Sequence, residues 1–278
     1  MKKLFVLLIS FFSTLFFSQN TRFIYEVSMK KDSTNRGDVK TELAYLDVVG
    51  QKSMFYAEKR IKRDSIMQVV FQSQGSMRPD RSAMQNLRSD INYTIEKNLA
   101  DQKVEFRDRI AMDIYSYNED RPMNWKIQSE TAKIGDYKAQ KAELDFGGRH
   151  WIAWFTQDIP VMDGPYKFHG LPGLIIKIED SKGDYSFLLK ETKKNAQIAN
   201  LTNMGNIIKV KRADYLKQME KYKKDPSSFF SQSGGGHSFG PGNTVRVGMN
   251  TSNPDVRKRM EERIKEEQKT NNNPIELK

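Results

Sequence analysis

The sequence of 278 residues contains no cysteine. Disulfide bonds, thiolate metal sites and a thiol nucleophile are therefore excluded, and so is lipid attachment through an N-terminal cysteine. A chain of this length can bury roughly 70–75% of the surface that it exposes when unfolded. We therefore expect the hydrophobic core alone to hold the fold together.

Histidine is scarce as well, with three in the whole chain. None stands in the His-Glu-x-x-His spacing that places two metal ligands on one helix face. His150 and His169 could meet Asp158 or Asp163 only through folding, so a metal-dependent enzyme is the least favoured function. The sequence predicts no catalytic residue, no metal ligand and no cofactor, and it leaves open whether the protein is an enzyme.

Long apolar runs are absent beyond the N-terminus. Lys2 and Lys3 precede a mostly apolar stretch of 14 residues, Leu4 to Phe17, which is shorter than the ~20 residues that span a bilayer. This arrangement is typical of a secretory signal peptide, here residues 1–18, with cleavage after Ser18. We expect an exported protein, periplasmic or secreted, with no transmembrane segment once the signal is removed. An N-terminal anchor that is never cleaved is the alternative.

Acidic residues are outnumbered by basic ones, 35 to 46, and the formal net charge is +11. The basic residues are spread along the whole chain, which favours a solvated surface over one binding patch. No aromatic-interleaved RNA motif and no zinc-finger spacing accompanies them, so nucleic acid is not predicted as a partner. An anionic lipid, an acidic glycan or an acidic protein surface is the alternative.

Short apolar runs separated by turns predict a mainly β fold, and no strand–helix–strand alternation or internal repeat is present. Gly147-Gly148 between two such runs predicts a β-hairpin. We expect a single curved antiparallel sheet, or an open barrel or sandwich, with one or two C-terminal helices. The predicted strands include residues 22–29, 43–49, 137–146, 150–155, 174–179 and 185–189.

The domain organisation changes towards the C-terminus. After the signal peptide, residues 19–226 are expected to form a β-rich domain that includes a helix at 211–224, which ends before Pro226. Residues 227–252 are rich in glycine and serine and predict a mobile loop. Asn253 and Pro254 are favourable residues for a helix start, so residues 253–278 are expected to form a charged helix and tail.

The most distinctive segment reads GPYKFHGLPGLI over residues 164–175, preceded by WIAWFTQDIP at 151–160. Gly170 and Gly173 permit positive φ or a close backbone approach, and Pro172 fixes its own φ. These two motifs resemble the signature of the GLPGLI family, a group of exported Bacteroidota proteins without a settled function. The specific part of the resemblance covers residues 125–178, and it implies export without assigning an activity.

Aromatic and apolar side chains cluster around this segment. Strand alternation places Trp151 and Phe155 on one face and Trp154 on the other, which predicts either core packing or a binding groove. The candidate binding residues are Trp151, Trp154, Phe155, Tyr166, Phe168, His169, Leu171 and Leu174. The predicted structural turn consists of Gly164, Pro165, Gly170, Pro172 and Gly173.

Two non-catalytic functions follow from these features. The first is an exported interaction or accessory protein that docks on an envelope protein complex through the turn and the aromatic cluster. The alternative is a carrier or binding module that holds an apolar ligand in a curved sheet closed by the helix at 211–224.

Overall fold

The computed structural model describes residues 20–73, 80–111, 113–198, 207–226, 228–229 and 254–277. The predicted signal peptide at 1–18 and nearly all of the predicted loop at 227–252 lie outside these residues. Both stay predictions.

The described residues form twelve strands and four longer helices. The strands are β1 (Thr21–Met29), β2 (Lys40–Val49), β3 (Lys52–Ala57), β4 (Thr94–Asn98), β5 (Lys103–Ile110), β6 (Asp113–Glu119), β7 (Lys126–Ile134), β8 (Tyr137–Phe146), β9 (Arg149–Thr156), β10 (Leu174–Asp180), β11 (Tyr185–Lys194) and β12 (Ile207–Lys209). The helices are α1 (Glu58–Gln72), α2 (Arg81–Asn86), α3 (Arg212–Lys224) and α4 (Pro254–Lys269).

All strands belong to one open sheet in the order β12-β6-β5-β4-β3-β2-β1-β11-β10-β9-β8-β7. Neighbouring strands are antiparallel except for the pair of β12 and β6, which is parallel. The pairing of β1 with β11 joins two consecutive meanders, β1 to β6 and β7 to β11. The predicted mainly β fold is confirmed as a single open sheet, and the parallel strand at its edge was not predicted.

Several local predictions are confirmed. Gly147 and Gly148 both have positive φ, 61° and 79°, and they connect the paired strands β8 and β9. Positive φ at both central residues is the requirement of a type I′ hairpin turn, which glycine meets without strain. The helix predicted at 211–224 corresponds to α3, and the helix predicted from Pro254 corresponds to α4.

Helix α1 was not predicted from the sequence. Six of its first seven residues are charged. Apart from Ile61, its apolar residues follow in the second half without a continuous stripe on one helical face. The periodic signal on which helix prediction depends is therefore weak. Within the described part of the chain, no helix is both long enough and apolar enough to cross a membrane.

One face of the sheet is buried, and residues from both meanders meet there. Tyr25, Leu46 and Phe187 near the centre of the sheet pack in the same hydrophobic cluster as Trp151 and Phe155 of β9. Because side chains alternate across a strand, a register slip of one residue would move the buried side chains of that strand to the solvent side. Burial of this face therefore specifies the register of the sheet.

The connection between β9 and β10, residues 157–173, is termed the signature loop. Four of its side chains belong to the same core cluster, Val161, Tyr166, Phe168 and Leu171. The amide of Leu174 donates to the carbonyl of Ile159 at 3.1 Å, which closes the loop at its base. The signature loop is thus part of the core and not a solvated connection.

Gly173 ends the signature loop with a backbone geometry that requires glycine. Its φ is 147°, and a Cβ at this position would lie 2.1 Å from the carbonyl oxygen of Thr156. That oxygen belongs to the backbone of β9 and cannot turn away as a flexible side chain would. The loop and β9 can approach this closely only where no side chain is present.

Replacing Gly173 with alanine should lower the free energy of unfolding by more than about 3 kcal/mol, because a steric clash adds to backbone strain. The matched control is Gly135→Ala in the turn between β7 and β8, where φ is 59° and the space around the Cβ is open. That change should cost about 1 kcal/mol. Urea unfolding measures both, and equal losses would contradict the close approach at Gly173.

Candidate binding site

Lys97 of β4 attaches the signature loop to the opposite half of the sheet. Its ammonium is buried, forms an ion pair with Asp163, and donates to the carbonyls of Gly164 at 2.6 Å and Phe168 at 3.2 Å. Burial lowers the pKa of Lys97, and the charge of Asp163 opposes that shift. Three acceptors match the three donors of an ammonium group, so this buried lysine holds the loop in one position.

Lys167 is the second buried lysine and belongs to the signature loop itself. Its ammonium has 0% exposure and donates to the Tyr117 hydroxyl at 2.8 Å, to Glu119 at 2.7 Å and to Glu276 at 2.5 Å. Four aromatic rings surround it with centroids 4.8–5.9 Å away, those of Phe106, Tyr117, Phe146 and Tyr166. The electron-rich faces of such rings attract a cation, so aromatic and anionic groups together compensate its burial.

Glu276, near the C-terminal end of the chain, is one of the partners of this lysine. One carboxylate oxygen, Oε1, accepts from the Tyr166 hydroxyl at 2.6 Å and from Lys167 at 2.5 Å. The other, Oε2, accepts from Arg121 at 2.8 Å and from Arg212 at 3.2 Å. The pocket formed by these four donors is termed the Lys167 pocket. Each carboxylate oxygen receives two donors, which satisfies its lone pairs.

The two carboxyl groups of this cluster are held in their charged form. Burial raises the pKa of Glu276, but the charges of Lys167 and Arg121 more than offset it, so this pKa lies below its usual value. Burial also raises the pKa of Glu119, whereas the hydrogen bond from Arg121 and the charge of Lys167 lower it to about 2. Both carboxyl groups are therefore ionised throughout the neutral range.

The residues on either side of Glu276 form a segment without helix or strand, residues 271–277, termed the C-terminal segment. The amide of Asn273 donates to the carbonyl of Lys31 at 2.9 Å, and the amide of Leu277 donates to the carbonyl of Gly147 at 2.7 Å. A Cβ at Gly147 would lie 2.9 Å from Cγ of Glu276. The segment therefore lies directly against the turn between β8 and β9.

Arg149 of β9 provides the second anchor of the C-terminal segment. Its guanidinium donates to the carbonyls of Pro274 at 2.7 Å and Ile275 at 3.0 Å and to Oδ1 of Asn273 at 2.6 Å. The Tyr185 hydroxyl also donates to the carbonyl of Asn273, at 2.7 Å. Arg149 and Tyr185 thus bind backbone carbonyls and one side-chain amide of the C-terminal segment.

The charge of Arg149 is compensated within the protein. Asp180 lies 2.8 Å and Asp184 3.1 Å from its Nη1 atom, and all three side chains are at most 3% exposed. The side-chain amide of Asn273 donates through Nδ2 to the carbonyl of Lys30 at 2.8 Å. We term the surface formed by Lys31, Gly147, Arg149, Tyr185 and the Lys167 pocket the tail groove.

Six of the eight candidate binding residues lie in the core, with exposures of 2% or less: Trp151, Phe155, Tyr166, Phe168, Leu171 and Leu174. Trp154 points to the other side of β9 and is half-buried, as strand alternation predicted. His169 is also half-buried. Of the two readings of the cluster, this structure favours core packing for the buried six, and their binding role stays a prediction.

The turn residues and the histidines are placed as follows. Gly170 and Gly173 have positive φ, and Gly164 packs against Ile175, which would contact an added Cβ at 2.7 Å. His150 is exposed and lies 2.8 Å from Asp145, whereas His169 lies 2.8 Å from the carbonyl of Lys167. Among the described residues, no three His, Cys, Asp or Glu side chains are grouped so that they could hold a metal ion.

The tail groove was not predicted from the sequence. Basic residues were attributed to the solvated surface, but Lys97, Arg149 and Lys167 are buried. One signal was available, because Lys167 stands between Tyr166 and Phe168 in an otherwise apolar segment. A second signal was that apolar residues flank Glu276 at the end of a charged tail. Neither signal identifies the partner of the charge.

Comparisons with known proteins concern the family and the fold. Residues 148–177 match a family model described as "Protein of unknown function (Porph_ging)", and this short stretch includes both Arg149 and Lys167. No curated protein matches the chain. The resemblance to the GLPGLI family stays a resemblance.

Two solved structures are similar in fold. A structure of PNGF-II in space group P21 has a TM-score of 0.52 and 18% identity, with 74% of this chain and 34% of that chain covered. A second structure of PNGF-II, in space group C2, has a TM-score of 0.51 and 19% identity, with 74% and 33% covered. The chain therefore spans about a third of the length of those proteins. At this identity, the likeness concerns the fold alone.

Replacing Leu171 with aspartate should lower the free energy of unfolding by more than about 4 kcal/mol, because a carboxylate would be buried without a partner. The matched control is Met162→Asp in the same loop, where the side chain is 49% exposed and the cost should be below about 1 kcal/mol. Urea unfolding followed by tryptophan fluorescence measures both. A Leu171→Asp protein with unchanged stability would instead favour a docking role for this leucine.

The carboxyl cluster predicts an acid-sensitive fold. In the folded protein the pKa values of Glu119 and Glu276 lie below the usual value of 4.5, so the unfolded state binds more protons in this range. The stability that they contribute is present above about pH 4.5 and is lost as the pH falls towards about 2.

Glu276→Gln removes one of the two titrating groups, so its free energy of unfolding should change less between about pH 5 and pH 3 than that of the wild type. The control is Glu191→Gln on β11, which is exposed and should follow the wild-type curve. Identical pH profiles for the wild type and Glu276→Gln would show that the carboxyl of Glu276 is not stabilised in its charged form.

Proposed function

We propose that the protein is an exported, non-catalytic interaction protein that binds a peptide segment of an envelope partner in the tail groove. In this proposal the signature loop supports the groove from inside and does not itself form the docking surface. The predicted N-terminal signal peptide supports export, and the excess of basic residues suits an acidic partner.

The observation that carries the proposal is the way in which the chain's own C-terminal segment is bound. Amides at Asn273 and Leu277 and carbonyls at Asn273, Pro274 and Ile275 all have partners in the groove. Two side chains, Asn273 and Glu276, enter separate polar anchors. Main-chain hydrogen bonds with a few side-chain pockets are the usual basis of peptide recognition.

The fold comparison is compatible with a binding module. In the two PNGF-II chains the matching fold occupies about a third of the length, so it occurs there as one part of a longer chain. The stretch that matches the family model contains both buried cations of the groove, Arg149 and Lys167. These two residues contact the bound segment directly.

The carrier of an apolar ligand is less well supported. The buried face of the sheet is occupied by side chains of the signature loop, Tyr166, Phe168 and Leu171, each at most 2% exposed. An apolar ligand on this face would have to displace them together with the ion pairs of Lys97 and Lys167. No comparable rearrangement is needed for a peptide that replaces the C-terminal segment.

A synthetic peptide with the sequence of residues 270–278 should bind to full-length protein whose own segment is weakened by Asn273→Ala and Glu276→Ala. Wild-type protein should bind it at least about tenfold more weakly, because the attached segment competes at high effective concentration. Fluorescence anisotropy of the labelled peptide measures both affinities, with a scrambled peptide as the control.

The double variant must first show a cooperative thermal transition, so that loss of binding cannot arise from unfolding. If the folded variant binds the native and the scrambled peptide equally, or binds neither, the tail groove is not a peptide site and the proposed function fails.

A further inference from the structure

We infer that the Lys167 pocket is a carboxylate-recognition site that accepts an acidic side chain of a partner peptide, with Glu276 as its resident ligand. The inference rests on the proposed function and adds the chemistry of the group that the groove selects. It depends on three features of the pocket, which are its charge, the arrangement of its donors and its access to solvent.

The charge of the pocket requires an anion. Three cations, Lys167, Arg121 and Arg212, contact the Glu276 carboxylate, and Lys167 and Arg121 also contact Glu119. Lys167 is fully buried, and a buried cation that loses a partner is strongly destabilising. The cations of the pocket therefore favour an anion at the position of the Glu276 carboxylate.

The donors of the pocket match a carboxylate in number and in placement. Tyr166 and Lys167 from the signature loop donate hydrogen bonds to one carboxylate oxygen, and Arg121 and Arg212 donate to the other. These donors come from three separate places in the fold, the signature loop, the connection after β6 and the first turn of α3. Positive groups that converge from separate elements onto two oxygens form a built receptor for a planar anion.

The pocket is closed at its base and open at its rim. The Lys167 side chain has 0% exposure, whereas Arg121 and Arg212 are 26% and 20% exposed and the Glu276 side chain is 14% exposed. Arg121 is also held in place, since its guanidinium lies 4.3 Å from the centroid of the Phe146 ring. A carboxylate can therefore be exchanged at the rim while the base keeps its geometry.

The occupant is a peptide carboxylate because the pocket is continuous with the tail groove. Arg149 binds the backbone of residues 274 and 275 and the side chain of Asn273, three positions before the glutamate. A partner segment with an amide side chain three residues before an acidic one would meet both anchors. A small free anion would fill only one of them.

Chemical rescue of full-length Glu276→Ala tests the carboxylate chemistry. Propionate carries a carboxylate and is one methyl group larger than the –CH2–COO⁻ group that the substitution removes, and propionamide is its uncharged counterpart. We expect 100 mM propionate to raise the melting temperature of the variant by about 3 °C relative to sodium chloride at equal ionic strength. Propionamide should have no effect, and wild-type protein should not respond because its pocket is occupied.

Two controls make the result specific. Adding Arg121→Gln to the Glu276→Ala variant should abolish the response to propionate, because one donor to the second oxygen is lost. Stabilisation by propionamide as large as that by propionate, or by sulfate as large as that by propionate, would overturn a carboxylate site. A folded Glu276→Ala variant that responds to none of these compounds would also overturn a carboxylate site.

The test also applies if the Glu276→Ala variant is unfolded in sodium chloride. Recovery of the native circular dichroism spectrum on dialysis into propionate but not into propionamide would support the site, whereas recovery in both or in neither would overturn it. The peptide assay then separates the two proposals. If peptides with Glu and Gln at position 276 bind equally well, carboxylate recognition fails while peptide binding stands.

Discussion

The buried ammonium of Lys167 is the charge around which the rest of the site is arranged. A cation without exposure to water is tolerated only with counter-charges and acceptors at hydrogen-bond distance. Glu119 and Tyr117 of β6 supply two of these partners, and Glu276 from the end of the chain supplies the third. A single side chain therefore contacts the signature loop's own neighbours in one half of the sheet and in the C-terminal segment, and so links all three.

Lys97 plays a corresponding part for the same signature loop. It reaches from β4 to Asp163 and to two loop carbonyls, so the loop is tied to the first meander at two points. Apolar side chains can pack in more than one way, whereas a buried charge needs its particular partner. As a hypothesis for this protein, the two lysines specify the position of the loop more than they add to its stability. The loop in turn places the donors Tyr166 and Lys167.

Much of the fold could be predicted from local patterns. The Gly147-Gly148 hairpin, helix α3 and the start of α4 follow from turn residues, capping residues and apolar spacing, each of which acts within a few residues. Helix α1 was missed because its charged first half carries no apolar stripe. The placement of Trp151 and Phe155 on one face of β9 also followed from alternation, whereas the choice between core and groove required the neighbours that cover that face.

The sequence by itself determined most of the strands, their alternation, the glycine-dependent turns and the absence of thiol chemistry, because these depend on backbone geometry and on residue type. Only the tertiary structure decided which charges are buried. Lys167 and Glu276 are more than a hundred positions apart in the chain, and nothing local to either one indicates the other. Whether a charged side chain is solvated or paired depends on the groups that folding brings around it, and those groups come from the whole sheet.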